Sequence, residues 1–538
     1  MECNNFGDWL NSQIHTDRPY LTEVQLMVSA LRGSGLTSGQ LVLAFFEGGR
    51  EWDILEKACL ALELTVVSID HSYSFEQVQG ILQQMQIQVA IVRQSHWGES
   101  QQKSFVPLFK SRSVALIDIG ELTQAALRGE LAGSKPVEFQ PTRPEALATV
   151  VFSSGTTGQP QPVAYTQAQY LLAAQSIQRH LQVETGLVSL SWLPLSNLFQ
   201  RVANMVARQT GARLEYVHQP RDIMKAMRLH QPHMLIAVPL FFERVYQSFF
   251  PAKPNLRSRA LQLLLRLPLV RRQVTRRLFG RRMRFFISGS AACSQDVLDF
   301  FDYLGLPIYE AYGLSENIVP IAANRPGDRK KGSVGRPLVE NELKIAPDGE
   351  IWVRGPGVSG QYFGSDQSLL NAEGYYPTGD LGRLSDDGYL YLTGRKANTF
   401  KNSAGKRICP EPLEQAVKEA TLADFSLILG PNQPWLFCVV NYQSSNMPKA
   451  EKIKENIDGF VQGALSGAPH HLRPRLFFIT DFELKAGEML TPNMKLKRMS
   501  VVNRIGPDLE SLKDQVEKAP LGVVERLPRG QGYYYRIW

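Results

Sequence analysis

Short apolar runs alternate with helix-length segments along most of this 538-residue sequence, and this alternation limits the folds open to it. Three of the runs lie at 146–152 (ALATVVF), 234–239 (MLIAVP) and 284–290 (RFFISGS). Runs of this length that lead into loops are typical of buried strands, and buried strands separated by helices favour parallel sheets. We therefore predict an α/β fold whose large N-terminal domain contains two parallel or mixed sheets.

The character of the sequence changes at about Asp348. Short alternating stretches with Gly and Asp turns follow, including 349–355 (GEIWVRG) and 382–395 (GRLSDDGYLYLTGR). This pattern predicts an antiparallel, barrel-like β subdomain, and a small α+β unit is expected to begin after Arg395. The predicted domains are residues 1–395, residues 396–500 and a C-terminal extension of unassigned role at 501–538.

The composition is that of a soluble globular protein, with 43% hydrophobic and 20% charged residues and no apolar run near the ~20 residues that span a bilayer. The N-terminal residues lack a basic start followed by an apolar stretch, so no secretory signal is expected. The five cysteines are scattered without a CxxC pair, which favours reduced thiols over a disulfide framework or a zinc site. We therefore expect a cytoplasmic protein.

A run of six small residues directly follows the first apolar run: Ser153, Ser154, Gly155, Thr156, Thr157 and Gly158. Glycines let a backbone approach a ligand closely, and successive N–H groups and hydroxyls can surround a polyphosphate. The segment lacks the lysine of the GxxxxGK[ST] phosphate loop. On its own, it is compatible with either a phosphate-binding loop or a flexible linker.

Four further motifs follow in order: YEAYGLSE at 309–316, YYPTGD at 375–380, GRKANTFKNSAGKRICPEPLE at 394–414 and LTPNMKLKR at 490–498. Together with the 153–158 loop, this set resembles the adenylate-forming superfamily of acyl-CoA synthetases, peptide-synthetase adenylation domains and firefly luciferase. The resemblance covers roughly residues 140 to 500 and is closest to the long-chain fatty acyl-CoA synthetases. It implies that a carboxylate attacks the α-phosphate of ATP, giving an acyl adenylate and pyrophosphate, and that a thiol then displaces AMP.

The resemblance also implies a role for each motif residue. The 153–158 loop would hold the β- and γ-phosphates, and Glu316 with Thr156 would hold Mg²⁺, which favours hard oxygen ligands. Tyr312 would stack on adenine, while Asp380 would accept the ribose hydroxyls with Arg395 beside them. The base pocket and a phosphate contact would be completed by Gly289, Ser290, Ala291, Gly313 and Ser315. Taken singly, these residues have ordinary alternatives: Tyr312 as core, Glu316 as a surface carboxylate, Asp380 as a turn residue and Arg395 as a salt-bridge partner.

A lysine of the small domain completes the implied site. Lys495 aligns with the family's catalytic lysine, whose cationic side chain would reach the α-phosphate and the carboxylate together, with Lys497 as its rival. A hinge would let the small, mobile domain rotate between the two half-reactions, and the hinge position holds Ala397.

The sequence departs from the family pattern at several positions. The usual loop lysine is replaced by Gln161, and two usual histidines are replaced by Gln167 and Asn197. Ala397 stands where the hinge is usually Asp or Lys. These departures indicate a divergent member.

One segment concentrates positive charge: residues 251–286 contain eleven Lys or Arg and no Asp or Glu. Two interpretations are open, a solvated pair of basic helices broken at Pro268 and a contact surface for an anionic membrane or an acidic protein. The second would place the protein at the inner face of a membrane. A nucleic-acid partner is not expected, because no recognised binding module surrounds the segment.

The sequence thus predicts an ATP- and Mg²⁺-dependent ligase that activates a medium- or long-chain fatty acid and transfers it to coenzyme A. Two alternatives are transfer to the phosphopantetheine of an acidic acyl carrier protein and a non-catalytic ligand-binding relative. The acyl pocket is expected between a helix at 193–203 and the strands that end at Gly289 and Tyr312. Candidates for its lining are Phe199, Met205, Ile318 and Ile321. No motif specifies the carboxylate, the acceptor or the oligomeric state.

Overall fold

A computed structural model describes the chain at residues 5–13, 17–71, 73–128, 139–153, 161–250, 256–431, 436–442, 447–463, 465–483, 489, 496–505, 524–526 and 532–536. Within these ranges, no helix combines the length and the apolar character that a membrane span requires.

The first sheet has six strands in the order β4-β3-β1-β2-β5-β6. Strands β1 to β5 are parallel, and β6 pairs antiparallel with β5. β1, β2 and β3 are buried along their whole length, which is why β1 and β3 are wholly apolar and β2 has Val66 and Val67 at its centre. The strands are β1 (Leu41–Phe45), β2 (Thr65–Ser68), β3 (Val89–Val92), β4 (Ala115–Asp118), β5 (Leu147–Ser153) and β6 (Gln161–Thr166), and the helices of this part are α1 (Phe6–Ser12), α2 (Arg18–Gly33), α3 (Arg50–Ala61), α4 (Phe75–Gln84), α5 (Glu99–Ser111), α6 (Ile119–Arg128) and α7 (Gln167–Leu181).

The second large sheet has five strands in the order β13-β12-β11-β10-β9, and a separate parallel pair, β7 and β8, lies nearby in the chain. β9, β10 and β11 are parallel, whereas β12 and β13 are antiparallel additions. The strands are β7 (Val188–Ser191), β8 (Arg213–Tyr216), β9 (Met234–Ala237), β10 (Phe285–Ser288), β11 (Ile308–Leu314), β12 (Asn317–Ala323) and β13 (Arg336–Pro337), and the helices are α8 (Leu198–Gln209), α9 (Ile223–His230), α10 (Pro239–Phe249), α11 (Leu256–Leu265), α12 (Pro268–Phe279) and α13 (Gln295–Tyr303). The three predicted strands are therefore confirmed as β5, β9 and β10.

The third sheet is the predicted antiparallel β subdomain. Its four strands run in the order β14-β15-β16-β17, and each pairs antiparallel with the next. The strands are β14 (Glu342–Ile345), β15 (Glu350–Arg354), β16 (Tyr376–Leu384) and β17 (Leu390–Arg395). With the two larger sheets, this subdomain confirms the predicted α/β class.

The last sheet brings together strands from both sides of residue 500, in the order β20-β21-β22-β24-β23. β24 pairs antiparallel with β22, and its Tyr535 is buried in the same cluster as Phe477. The elements are β18 (Phe400–Lys401), β19 (Arg407–Ile408), α14 (Pro410–Thr421), β20 (Phe425–Leu429), β21 (Leu436–Asn441), α15 (Ala450–Gln462), β22 (Pro474–Thr480), β23 (Val524–Arg526) and β24 (Gly532–Arg536). Two segments of the predicted C-terminal extension at 501–538 therefore complete this sheet, and the domain boundaries stay predictions.

A buried cluster of charges joins α3 to α8. The Arg201 guanidinium is fully buried and donates through Nε to Glu56 Oε1 at 2.6 Å. Lys57 Nζ, also fully buried, donates to Asp53 Oδ1 at 3.2 Å, and the guanidinium of Arg208 lies 3.7 Å from the other Asp53 oxygen. Burial opposes the ionisation of Asp53, but the charges of Lys57 and Arg208 overcome it and hold its pKa below the usual range. This packing depends on each charge keeping its partner.

Candidate active site

The small-residue loop begins where β5 ends. Ser153 is the last residue of β5 and is buried. Its hydroxyl approaches Glu316 and Tyr362 but forms no hydrogen bond with any described residue. The rest of the loop (Ser154, Gly155, Thr156, Thr157 and Gly158) lies outside the described residues, as does Lys495. The structure thus gives the start of the predicted phosphate loop, at a buried position with an unused hydroxyl.

Glu316 lies in the turn between β11 and β12, inside the protein and not on its surface. Its side chain is buried, and the Tyr362 hydroxyl donates to Oε1 at 3.4 Å. The adjacent Ser315 carbonyl accepts a 2.5 Å hydrogen bond from the Tyr165 hydroxyl. Burial raises the pKa of Glu316 above its ordinary value, and the approach of Ser153 offsets part of this effect. The site therefore holds a carboxylate that lacks an ion-pair partner among the described residues.

Tyr312 and Arg395 hold the two oxygens of Asp380. Asp380 on β16 and Arg395 on β17 are direct cross-strand neighbours, and Arg395 Nε lies 3.1 Å from Asp380 Oδ1. The Tyr312 hydroxyl, from β11, donates to Asp380 Oδ2 at 2.7 Å. Burial and the Asp380 charge raise the pKa of Tyr312 well above its ordinary value, so the hydroxyl stays a donor. Each carboxylate oxygen has two acceptor sites, so Asp380 can still accept two further hydroxyl groups.

The Gly289–Ala291 segment leaves the end of β10, and a side chain at its first residue would be in tight contact with Phe199. A Cβ atom at Gly289 would lie 3.0 Å from Cζ of Phe199. Ser290 has φ = +74°, which is an uncommon conformation for a residue with a side chain. Ser290 is half-buried and Ala291 is exposed. Gly313, also exposed, lies on β11 directly after Tyr312.

Glu310 anchors this segment from the neighbouring strand, and sequence reasoning assigned it no role. The backbone N–H of Cys293 donates to Glu310 Oε1 at 3.1 Å, and the Ser288 and Cys293 side chains lie 3.1 Å apart. Burial raises the pKa of Glu310 to about 7. Its position two residues before Tyr312 in YEAYGLSE was the available signal. Tyr376 was likewise assigned no role, although it lies in the YYPTGD motif. Burial and the Glu316 charge raise the pKa of Tyr376.

The four residues proposed to line an acyl pocket lie in different surroundings. Phe199 is half-buried, with its ring against Gly289. Met205 and Ile321 are completely buried, and Ile318 is nearly so. Met205 and Ile318 belong to the core of the first sheet, and Ile321 packs in the cluster that contains Tyr312. Of the four, Phe199 is the one that contacts the predicted nucleotide segment.

Two of the residues that depart from the family pattern, Asn197 and Gln167, have structural roles. Asn197 caps α8, and its side-chain oxygen accepts from the Phe199 N–H at 3.1 Å. Gln167 is fully buried, accepts from the Thr142 hydroxyl at 2.6 Å and donates to the Leu60 carbonyl at 2.8 Å. These contacts give Asn197 and Gln167 structural roles that involve no ligand.

Ion pairs surround the predicted hinge at Ala397. Ala397 lies in a single helical turn, Lys396–Asn398, that directly follows Arg395. Lys396 Nζ lies 2.8 Å from both Asp348 Oδ2 and Glu350 Oε2 on the β subdomain. Farther along, Lys418 of α14 donates to both oxygens of Glu243 on α10 at 3.0 Å. Lys418 thus links the predicted small domain to Glu243 of the predicted large domain, and the hinge at Ala397 stays a prediction.

A family model described as "AMP-binding enzyme" matches residues 13–363, more than half of the chain. Similar proteins include the long-chain-fatty-acid–CoA ligase FadD15 of Mycobacterium bovis, with 27% identity over 91% of this chain and 90% of that protein. Long-chain-fatty-acid–CoA ligase 5 of Mus musculus is 25% identical, over 95% of this chain and 85% of that protein.

Solved structures share the fold. The o-succinylbenzoate CoA synthetase (MenE) from Bacillus subtilis, in complex with ATP and magnesium ion, superposes with a TM-score of 0.72 at 19% identity and covers 91% of this chain and 98% of its own. The anthranilate CoA ligase AuaEII, in complex with anthranoyl-AMP, gives a TM-score of 0.75 at 19% identity, with 94% and 98% covered.

Proposed function

Because the chain belongs to the family of AMP-binding enzymes and is an AMP-forming acid–thiol ligase, we propose that it activates a medium- or long-chain fatty acid with ATP and transfers it to coenzyme A. The observation that carries this proposal is the joining of Tyr312, Asp380 and Arg395 in a site that also holds Glu316, a buried carboxylate without an ion pair among the described residues. The names of the similar proteins support a fatty acid as the carboxylate and coenzyme A as the acceptor.

The Tyr312–Asp380–Arg395 group fits a nucleoside. The carboxylate of Asp380 has free acceptor sites for two ribose hydroxyls, and Arg395 and Tyr312 fix its orientation. The ring of Tyr312 would stack on the adenine while its hydroxyl remains hydrogen-bonded to Asp380. Because the hydrogen bond of Tyr312 is already made, the ribose acceptor is ordered before nucleotide arrives, which lowers the entropic cost of binding.

Glu316 and Ser153 fit a cation that carries phosphates. Buried carboxylates without a partner are costly, and a bound cation removes that cost. Mg²⁺ prefers such oxygen ligands and, when bound, would neutralise phosphate charge next to the 153–158 loop. Glu316 would hold that ion with Thr156, and the Ser153 hydroxyl is free among the described residues to donate to a phosphate oxygen.

Lys495 is proposed to act on the reacting atoms during adenylation. Its cationic side chain would lie between the attacking carboxylate and the α-phosphate, where negative charge accumulates. The neighbouring Lys497 is the rival, and its backbone N–H donates to the Met489 carbonyl at 2.7 Å. We assign the chemistry to Lys495 because its position matches the family's lysine.

The test is a pyrophosphate-exchange screen with ATP, Mg²⁺, fatty acids of graded length and, for comparison, short dicarboxylic and aromatic acids. We expect exchange with the longer fatty acids, its loss by at least about 100-fold in Lys495→Ala, and near-normal exchange in the matched Lys497→Ala variant. Addition of coenzyme A should then yield acyl-CoA and AMP. Absence of exchange with every carboxylate would refute the proposal, and transfer only to acyl carrier protein would replace the acceptor.

A further inference from the structure

The turn between α11 and α12 exposes four leucines. The exposed fractions are 63% for Leu263, 47% for Leu264, 54% for Leu267 and 81% for Leu269. The four residues occupy the last turn of α11, the connection and the first turn of α12, so they form one apolar corner. We call these four residues the leucine corner. Soluble monomers rarely expose such clusters unless the surface has a partner.

Loose packing of the helix pair is not the reason why the leucine corner is exposed. The opposite faces of α11 and α12 pack into the core of the second sheet, through Leu265 and Phe279 among others. The Tyr303 hydroxyl donates to the Leu265 carbonyl at 2.7 Å, and Gln262 Nε2 donates to the Phe249 carbonyl at 2.8 Å. The inner face of α11 and α12 is therefore packed against the core and held by hydrogen bonds, and the leucine corner lies on the side away from the core.

The segment that carries the leucine corner is rich in arginines and has no carboxylates to balance them. Arg284 pairs with Glu184, and Arg271 stacks on the ring of Tyr303 at 4.3 Å. Seven other arginines of the segment have described side chains. All seven are exposed and form no ion pair with any described residue: Arg259, Arg266, Arg272, Arg276, Arg277, Arg281 and Arg282. Residues 251–286 contain no Asp or Glu at all. The leucine corner thus belongs to a segment whose charged residues are all positive and are mostly exposed where described.

We propose that this surface docks the protein onto a lipid bilayer rich in anionic headgroups. The leucine corner would enter the boundary between headgroups and acyl chains, and the arginines would contact the phosphates. An acidic protein would satisfy the arginines but would need an apolar groove for the leucines. A bilayer supplies both features, an apolar interior for the leucines and an anionic surface for the arginines. This inference does not depend on the proposed function, because docking requires neither nucleotide nor acyl substrate.

The test is co-sedimentation of the full chain with vesicles of phosphatidylcholine alone or with about 30% phosphatidylglycerol, at about 0.1 M salt. We expect binding to the anionic vesicles that weakens as salt rises. The triple variant Arg272→Gln, Arg276→Gln, Arg277→Gln should lower the partition coefficient by about fivefold per arginine, on the order of 100-fold in total. The double variant Leu267→Ser, Leu269→Ser should lower it by at least about tenfold.

Matched controls come from other surfaces. Val339→Ser removes an apolar side chain that is 88% exposed, and Lys110→Gln with Arg112→Gln removes two exposed charges on or beside α5. Both controls should bind vesicles as the unmodified protein does, and thermal unfolding should be the same in all variants. The proposal is overturned if the unmodified protein does not bind anionic vesicles, or if the corner and control variants bind equally. Binding of an acidic carrier protein that is lost in the arginine variant, with no vesicle binding, would assign the surface to a protein partner.

Discussion

Replacement of Asp380 by Asn tests the nucleoside site directly. The two Asp380 oxygens are held by the Tyr312 hydroxyl at 2.7 Å and by Arg395 Nε at 3.1 Å. In Asn, one of these oxygens becomes an NH₂ group, which cannot accept from either neighbour. The backbone pairing of β16 with β17 is unaffected, so the variant should fold normally while one of its two acceptor oxygens and the negative charge are lost.

The size of the effect follows from the two contacts. The Arg395 side chain is 58% exposed, so its ion pair with Asp380 contributes little on its own. The larger loss is that of charge-assisted hydrogen bonds from the ribose, about 1.5–3 kcal/mol. This corresponds to a rise of about 10- to 150-fold in the Kd for ATP. The matched variant Asp386→Asn removes an exposed carboxylate in the same hairpin and should leave the Kd unchanged.

The assay is titration calorimetry with ATP and with 2′,3′-dideoxy-ATP. If Asp380 accepts from the ribose hydroxyls, the substitution should raise the Kd for ATP by the amount given above. For the dideoxy nucleotide, the ratio of the variant Kd to the normal Kd should be below about threefold. An equal ratio for both nucleotides would show that Asp380 acts only through the structure. Unchanged ATP binding would refute the assignment altogether.

Three further predictions concern burial. Burial raises the pKa of Glu316, so its ionised form is disfavoured in the folded state; the stability cost grows as pH rises above the ordinary pKa and is complete once pH exceeds the raised pKa. Glu316→Gln should therefore raise the unfolding temperature at pH 8, an advantage that disappears on acidification, while Mg²⁺-dependent pyrophosphate exchange is lost at every pH. Arg201→Met leaves Glu56 without its main partner and should cost about 3–5 kcal/mol of stability in chemical unfolding, with partial recovery in the double variant with Glu56→Gln. Gly289→Ala should press on the Phe199 ring and reduce adenylation; Phe199→Leu in the same chain should restore it, and no rescue would argue against that contact.

The parts of the fold and site that were predictable from sequence are those encoded locally. Buried parallel strands require continuous apolar runs, so β5, β9 and β10 were identifiable from short segments. The motif residues Tyr312 and Asp380 were assigned together by resemblance, and the structure brings them within hydrogen-bond distance. The family assignment made from the motifs is confirmed by the match at residues 13–363.

The parts that were missed depend on contacts between distant segments. Glu310 holds the N–H of Cys293, 17 residues away, and neither residue alone suggests this contact. Arg201 and Glu56 are 145 positions apart, and a charged residue in an amphipathic helix ordinarily predicts a solvated face. The strands of 501–538 are short and polar in part, so their membership in a buried sheet depends on β22 as partner. The roles of Thr156 and Lys495 stay predictions.

β22 carries an apolar sequence and has neighbours on both sides only because β24 pairs with it. A chain trimmed before residue 532 would leave one side of β22 with open N–H and C=O groups beside Phe477 and Phe478. An edge of this kind recruits strands from other molecules. Proteolytically shortened molecules are therefore expected to aggregate through the exposed edge of β22. In the intact chain, β24 covers this edge and prevents intermolecular strand pairing.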